Sequence, residues 1–390
     1  MGGGVSAAVR EPPAHGTLSA VACEVRTDPR ADVRVSAVSK VPSEGSRTTS
    51  STAAPLERTR ALWIAWNTHR RTTGLCAAWD IPLHVLQSSR KGLGRWIEQA
   101  LDTLRFLYRQ RPEILFVQNP SLALTVLATA SRRLFGYYLV VDAHNEGVRP
   151  FDRPGKFVGW LTRRLLKSAD VTIVTNAALA GDVIAAGGRP LVLPDSLPTP
   201  PAPEGPRKVA GDVHVAVIAT YRADEPIASI IDAAATMPEI RFAFSGDAGR
   251  FEGSKDALPA NVRLTGYLLE PLYWQLLEQA TVVCDLTLKP DCLVCGAYEG
   301  LAVGKPLVLS DNPPTREIFG RAAVLTGSAP EEIAKALREA LGRRESLEAG
   351  AREVRDAYRV GWQPQAAATW DAIRERAEAA VRPRLRRLRR

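Results

Sequence analysis

The sequence predicts an α/β protein built from two Rossmann-like domains. Short apolar runs that indicate buried strands alternate along the chain with segments of helical periodicity. Phe242 to Ser245 is a clear example of such a strand, and residues 270–279 are a clear example of such a helix. With 390 residues, the chain is long enough for two domains of ordinary size. A polar, proline-rich stretch at residues 195–211 separates the two alternating series and predicts a linker.

The same features divide the chain into six segments. Residues 1–57 are rich in Gly, Ser, Thr, Pro and Ala and show no periodicity, so we expect them to be disordered. The segments that follow are a first domain at 58–194, the linker at 195–211, a second domain at 212–360, a helix at 361–381 and a basic tail at 382–390.

The composition restricts the class of partner. The formal net charge is +9, which suits a nucleic acid, an acidic membrane surface or a phosphorylated substrate. The sequence has no zinc-finger spacing and no aromatic RNA-binding signature, so we expect no nucleic acid. It also has no apolar run long enough to span a bilayer and no apolar N-terminal signal segment. We therefore expect a cytoplasmic protein.

The five cysteines do not indicate a disulfide framework. Their number is odd and they are scattered, which favours a reducing compartment. Cys292 and Cys295 form a lone CxxC pair, and a zinc site would need a second pair that the sequence lacks. We expect Cys292 to fill a ligand-binding loop as a small, polarizable side chain, with a redox role as the alternative.

One βαβ unit, residues 281–319, carries the chemistry. The apolar run Val282 to Leu286 predicts a strand, a loop follows it, and a helix opens at Gly296. Gly304-Lys305-Pro306 ends that helix, and Leu307 to Leu309 forms the next strand. The loop therefore lies at the carboxyl end of a parallel strand, which is where open α/β sheets bind ligands.

Three residues of this unit fit a nucleotide diphosphosugar. The free backbone N–H groups and the dipole of a helix that begins at Gly296 favour a phosphate. Asp291 lies just before the helix and Glu299 lies within its first turns, and carboxylates accept hydrogen bonds from paired sugar hydroxyls. In the alternative interpretation, Asp291 caps the helix and Glu299 belongs to a solvated face.

This pattern resembles the EX7E region of family-4 glycosyltransferases of the GT-B fold. Asp291 is followed by seven residues, Glu299, a small-residue helix ending in Gly-Lys-Pro and a strand ending in Ser-Asp. The resemblance implies that Asp291 binds the donor sugar at the reacting centre and that Glu299 binds the nucleotide ribose. It covers about residues 58–380. It implies two domains facing each other across a cleft, with the C-terminal helix crossing back to the first domain.

A second resemblance concerns two strand ends of the first domain. Gln118-Asn119-Pro120 and Asp142-Ala143-His144-Asn145 resemble the chitobiosyldiphosphodolichol β-mannosyltransferase family. The resemblance implies a catalytic role for His144 near the reacting sugar and places Asn119 and Asn145 on the acceptor side. In the alternative interpretation, His144 caps the next helix or is hydrogen-bonded in the wall between the domains. Family-4 members retain the anomeric configuration and the β-mannosyltransferases invert it, so the stereochemistry stays open.

The loop after the first predicted strand, residues 67–74, faces the acceptor in GT-B enzymes. It contains His69, Arg70 and Arg71, which we expect to meet an acceptor phosphate. In the alternative interpretation they are ordinary solvated loop charges.

The loop at Thr220–Glu225 follows the first strand of the second domain. In family-4 enzymes this loop brings an Arg and a Lys to the donor diphosphate, and here Arg222 is present while the Lys is missing. Gly246, after the next strand, predicts a close approach of the backbone to the donor. We expect no metal and no cofactor, since Arg222 and the amides at Gly296 stabilise the leaving diphosphate.

Two basic segments suggest contact with an anionic membrane. Helix 155–168 has apolar side chains on one face and basic side chains on another, and the tail from Arg382 to Arg390 is dominated by arginine. The alternatives are an ordinary surface helix and a solvated chain end. We therefore expect a cytoplasmic protein that lies peripherally on the cytoplasmic face of a membrane.

Together these observations predict a hexosyltransferase of polysaccharide biosynthesis. Its donor is a nucleotide diphosphosugar and its acceptor is a glycan or a polyprenyl-diphosphate-linked acceptor. A hydride-transfer enzyme is disfavoured because no GxGxxG motif follows a first strand. The alternatives are a nucleotide-sugar epimerase on the same fold and a non-catalytic GT-B scaffold subunit.

Overall fold

The structure is a computed structural model that describes residues 60–119, 121–150, 155–202 and 213–388, with side chains described up to residue 380. The predicted disordered segment 1–57 and most of the predicted linker lie outside the described residues. So do the side chains of the basic tail.

The first domain is organised around a parallel sheet whose order is β2-β1-β3-β4-β5-β6. The strands are β1 Ala61–Ala65, β2 Leu83–Val85, β3 Ile114–Asn119, β4 Tyr138–Ala143, β5 Val171–Val174 and β6 Pro190–Val192. The central strands are buried along their whole length, which is why their sequences are continuous apolar runs and do not alternate.

Helices cover both faces of this sheet. They are α1 Arg70–Trp79, α2 Gly92–Gln110, α3 Leu122–Phe135, α4 Asn145–Val148, α5 Lys156–Ser168 and α6 Ala177–Ala185. The apolar sides of α2, α3, α5 and α6 share one core with the sheet, so these four helices form one layer. Helix α1 packs on the opposite face.

The second domain has a parallel sheet with the order β12-β11-β10-β7-β8-β9. Its strands are β7 Val215–Val217, β8 Phe242–Ser245, β9 Val262–Gly266, β10 Val282–Asp285, β11 Leu307–Ser310 and β12 Ala323–Thr326. This is the strand order of the dinucleotide-binding Rossmann fold. The strands after β7 are added on one side of it and those from β10 onward on the other, so the strand order reverses between β7 and β10. Ligands bind at such a reversal of strand order.

The helices of the second domain alternate with these strands. They are α7 Ile227–Ala235, α8 Glu270–Gln279, α9 Cys295–Ala302, α10 Pro313–Phe319 and α11 Pro330–Gly342, with short 3-10 turns at Ala248–Arg250 and Lys255–Ala257. Helices α8, α10 and α11 have proline at the first or second helical position, where its missing N–H costs nothing.

The last helix, α12 Arg344–Leu388, returns to the first domain. The indole N–H of Trp362 donates to the Pro194 carbonyl at 2.8 Å, and that of Trp79 donates to the Ala366 carbonyl at 2.9 Å. The Trp79 and Trp370 rings stack with centroids 5.9 Å apart. The expected crossing is confirmed, although the helix begins well before residue 361. Within the described residues, no helix is both long enough and apolar enough to cross a bilayer.

Candidate active site

The carboxyl ends of the two sheets face each other, and side chains from both domains meet there. Arg70 of α1 forms an ion pair with Glu299 of α9. The amide of Asn145 at the start of α4 donates to the Pro290 carbonyl at 3.1 Å. The loop after β10 is therefore held directly by the first domain, and it lies at the strand reversal between β7 and β10.

Asp291 lies at the centre of this contact. The Arg149 guanidinium donates to its carboxylate at 2.7 Å, and the Asn176 amide donates to its backbone carbonyl at 2.9 Å. Its backbone has φ of +52°, a region that residues other than glycine rarely adopt. The N-cap of α9 is Val294, so the interpretation of Asp291 as a helix cap is wrong. The structure instead fixes Asp291 in the wall between the domains.

Glu299 is buried on the first turns of α9. The guanidinium of Arg70 donates to one carboxylate oxygen and the Tyr273 hydroxyl donates to the other. Burial raises the pKa of Glu299 despite these two donors. The interpretation of Glu299 as a solvated face residue is therefore wrong, since its two oxygens point at donors in the cleft.

Gly296 is not free to bind an anion in this structure. Its backbone N–H donates to the Asp285 carboxylate at 2.9 Å. Burial, together with the nearby Glu225 and Glu299, raises the pKa of Asp285 well above its usual range. A Cβ at position 296 would lie 2.4 Å from the Asp285 carboxylate, so only glycine fits. Asp285 is not among the residues predicted from the sequence, where its only signal is an acid at the end of a buried strand.

The loop at Thr220–Glu225 carries a compact group of charges. The Arg222 guanidinium lies 3.5 Å from the Asp224 carboxylate. The Lys289 ammonium lies 3.0 Å from the same carboxylate and 2.9 Å from Glu146 of α4. Burial would lower the pKa of Lys289, but the hydrogen bonds to Glu146 and Asp224 outweigh it and raise the pKa. Lys289 is not among the site residues predicted from the sequence.

His144 of the first domain pairs with a buried carboxylate. Its Nε2 lies 3.5 Å from Asp142 at the end of β4. The ring of His69 lies edge-on to it, with centroids 4.4 Å apart. His144 is the N-cap residue of α4, as the alternative interpretation expected, but its side chain makes no capping hydrogen bond and faces Asp142 instead. Burial and the neighbouring His144 lower the pKa of His69 to about 4, so His69 is neutral at physiological pH.

Arg71 is a buried side chain of the first domain that holds Asp142, the partner of His144, in place. It donates to Asp142 at 2.9 Å and to Asp195 at 2.6 Å, and its side chain is fully buried. Burial alone would raise the pKa of Asp142, but Arg71 and His144 outweigh burial and hold it low. Arg71 lies on α1, as does Arg70, and not in a loop. Because its guanidinium is buried, the expectation that Arg71 meets an acceptor phosphate is not supported.

Three further predicted residues have structural contacts within the protein. Asn119 is fully buried, and its amide donates to the Gly147 carbonyl at 3.0 Å beneath α4. Gly246 has φ of +100°, and a Cβ there would lie 2.0 Å from the Ala219 carbonyl. The close approach at Gly246 is therefore to the chain itself. Burial raises the pKa of the Cys292 thiol to about 12, which counts against a redox role for the CxxC pair.

Several solved structures are similar to this chain in fold. HepE from Anabaena, solved with UDP and glucose, is 16% identical with a TM-score of 0.63 over 80% of this chain and 100% of HepE. Sucrose-phosphate synthase from Thermosynechococcus elongatus is 13% identical with a TM-score of 0.64 over 81% of this chain and 98% of the synthase. A Listeria monocytogenes protein assigned as a UDP-N-acetylglucosamine 2-epimerase is 15% identical with a TM-score of 0.54, over 82% and 97%. No curated protein matches the sequence.

The two six-stranded parallel sheets, the cleft between them and the returning helix define the class of protein: this chain has the GT-B fold. Residues 20–194 match the family model described as the glycosyl transferase 4-like domain. The fold that the first resemblance implies is therefore confirmed, and the family model matches the part of the chain that contains the first domain.

Proposed function

We propose that the protein transfers a hexose from a nucleotide diphosphosugar to a glycan or polyprenyl-diphosphate-linked acceptor. One observation carries this proposal. The buried carboxylate of Glu299 and the fixed carboxylate of Asp291 lie on the second domain, and the His144–Asp142 pair of the first domain lies at the facing strand ends. HepE, which shares the fold, has been solved with UDP-glucose.

The donor residues take their roles from their positions on the second domain. Glu299 accepts the ribose hydroxyls in place of the Arg70 guanidinium and the Tyr273 hydroxyl that it accepts from in this structure. Asp291 accepts hydroxyls of the donor sugar in place of Arg149. Both exchanges replace one set of donors to a carboxylate by another, so neither leaves a buried oxygen without a partner.

His144 is the base in the proposed reaction. Asp142 is held ionised by Arg71 and so can orient the imidazole and stabilise its protonated form. The imidazole then takes the proton of the acceptor hydroxyl as that oxygen attacks the anomeric carbon and the nucleoside diphosphate leaves. A base on the acceptor side suits a single displacement and favours inversion. The side-chain cations of the site take the leaving charge, so no metal enters the proposal.

The membrane part of the proposal rests on the outer surface of the helix layer of the first domain. Leu93 of α2 is 74% exposed, and Phe157 and Trp160 of α5 are 70% and 51% exposed and stack on each other. Exposed cations lie on the same two helices or directly before α2; they include Arg90, Lys91, Arg95, Lys156, Arg163, Arg164 and Lys167. We propose that this face lies on an anionic membrane, where rings enter the interface and cations meet lipid phosphates.

A nucleotide-sugar epimerase is the second candidate. The observation that favours it is the shared fold of the Listeria monocytogenes protein assigned as a UDP-N-acetylglucosamine 2-epimerase. An epimerase needs neither an acceptor nor a membrane-facing surface. The exposed aromatic and basic face therefore favours the transferase.

A panel of nucleotide sugars tests the proposal. The purified full chain is first screened for binding, and each donor that binds is then incubated with and without a polyprenyl diphosphate oligosaccharide. Loss of the donor that depends on the acceptor, with a product heavier by one hexose, supports the transferase. Conversion of the donor to an isomer without any acceptor identifies an epimerase. Binding of donors without turnover of any of them identifies a non-catalytic subunit.

A further inference from the structure

The loop after β10 supplies a lysine, Lys289, and the loop after β7 has Arg222 but no lysine. The N–H of Leu288 donates to the Asp224 carbonyl at 2.6 Å, and the Thr287 hydroxyl donates to the same carbonyl at 3.3 Å. These contacts join the loops that follow β7 and β10. They bring Lys289 beside Arg222, although the two residues are far apart in the sequence.

Asp224 holds both cations at the strand reversal. One oxygen of its carboxylate lies 3.5 Å from the Arg222 guanidinium, and the other lies 3.0 Å from the Lys289 ammonium. The Asp224 carboxylate therefore holds the two cations next to each other. The reversal between β7 and β10 is also where a Rossmann-type sheet binds the phosphates of its ligand.

Lys289 is a charged side chain in a confined position. The residue is only 9% exposed, and its ammonium is paired with Glu146 and Asp224. The hydrogen bonds to these carboxylates keep it protonated. The backbone N–H of Gly296, which would otherwise meet a phosphate, donates to Asp285. Side-chain cations are therefore the donors that this site offers to a diphosphate.

We propose that Lys289 is a diphosphate-binding residue that acts with Arg222 on the donor and on the leaving nucleoside diphosphate. This inference rests on the proposed function. Glu146, from the first domain, holds the same ammonium, so it competes with the diphosphate for Lys289. Removal of the Glu146 charge should therefore strengthen the binding of a diphosphate, whereas removal of the Lys289 charge should weaken it.

Calorimetry is done with UDP and uridine, and with GDP and guanosine. For each pair, the ratio of the affinity for the nucleoside diphosphate to the affinity for the nucleoside isolates the contribution of the diphosphate. Lys289→Met should lower that ratio by about tenfold to a hundredfold, because a hydrogen bond between charged groups is lost. Glu146→Gln should raise the ratio, and Lys289→Arg should keep most of it. Nucleoside affinity should stay unchanged in all three variants.

A purely structural ion pair between Lys289 and Glu146 predicts a different result. Both neutralising variants would then change the affinity in the same direction, and would do so for the nucleosides as well. That result, or an unchanged ratio in folded Lys289→Met, overturns the inference while the proposed function stands. The double variant Lys289→Met, Glu146→Gln removes both charges and serves if the single variant does not fold. A wild-type protein that binds no nucleoside diphosphate overturns the proposed function and this inference together.

Discussion

Glu299→Gln should weaken nucleoside diphosphate binding without harming the fold. In this structure Glu299 accepts from a guanidinium and from a phenol hydroxyl, so its two oxygens are positioned for two donors, as ribose would provide. Hydrogen bonds to a charged acceptor contribute about 1.5–3 kcal/mol. Loss of that charge should therefore raise the Kd for UDP by about 10- to 150-fold. Calorimetry measures this change directly.

The stability of the same variant has a definite sign. Burial raises the pKa of Glu299, so the folded state disfavours the ionised carboxylate. The stability that this residue contributes is present at low pH and is lost as pH rises through the folded pKa. At pH 7 the neutral Gln variant should therefore be at least as stable as wild type, and thermal unfolding checks this.

Glu270→Gln is the matched control. Glu270 contacts the same Arg70, at 3.3 Å, but its side chain is exposed. An ion pair at such an exposed position contributes little, so UDP affinity should be close to that of wild type. The reasoning fails if folded Glu299→Gln binds UDP as tightly as wild type, or if Glu270→Gln weakens binding equally.

Three further predictions follow from other parts of the molecule. Arg222→Ala should lower turnover by several kcal/mol of transition-state stabilisation, about that of one preorganised donor, with little effect on acceptor KM; near-wild-type kcat contradicts the assignment. Wild type should lose stability as pH falls from 6.5 towards 4, since the pKa of His69 is lowered to about 4. His69 is the N-cap of α1, where its ring accepts from the Arg71 N–H. Since Asn also caps helices, urea unfolding of His69→Asn should show this acid-dependent loss reduced by up to about 3 kcal/mol. Phe157→Ser with Trp160→Ser should reduce co-sedimentation with anionic vesicles at low salt, and Val360→Ser, at an exposed position on α12, should not. Equal binding by all three proteins contradicts the membrane face.

The elements that the sequence predicts best are those with continuous apolar runs and clear ends. The strand Phe242–Ser245 and the helix Glu270–Gln279 have the predicted bounds. The structure also contains α1, which begins in a stretch predicted as a loop, and α4, α10 and β12, none of which is predicted from the sequence. These elements are short, and α4 consists of only 4 residues with no apolar periodicity, so tertiary contacts decide its conformation.

The candidate site divides in the same way. Asp291 and Glu299 can be found from their spacing, because both belong to one βαβ unit. The residues that contact these side chains cannot be found from spacing, because they are far away in the sequence. Arg71 and Asp195 are 124 residues apart and form an ion pair. Because of this contact, Arg71 is buried, although the sequence predicts an exposed loop cation. Lys289 meets Glu146 of the other domain, and nothing local in the sequence indicates that contact.

The cleft uses its arginines in two physically different ways. Arg70 and Arg149 cover the predicted donor carboxylates Glu299 and Asp291, and each has a second carboxylate partner, Glu270 or Asp182. A sugar hydroxyl that displaces either guanidinium therefore leaves it paired, so the exchange costs little. Arg71 is different, because its buried guanidinium would lose two carboxylates with no water to replace them. The donor side of the cleft can consequently rearrange around a ligand while the His144–Asp142 pair stays fixed.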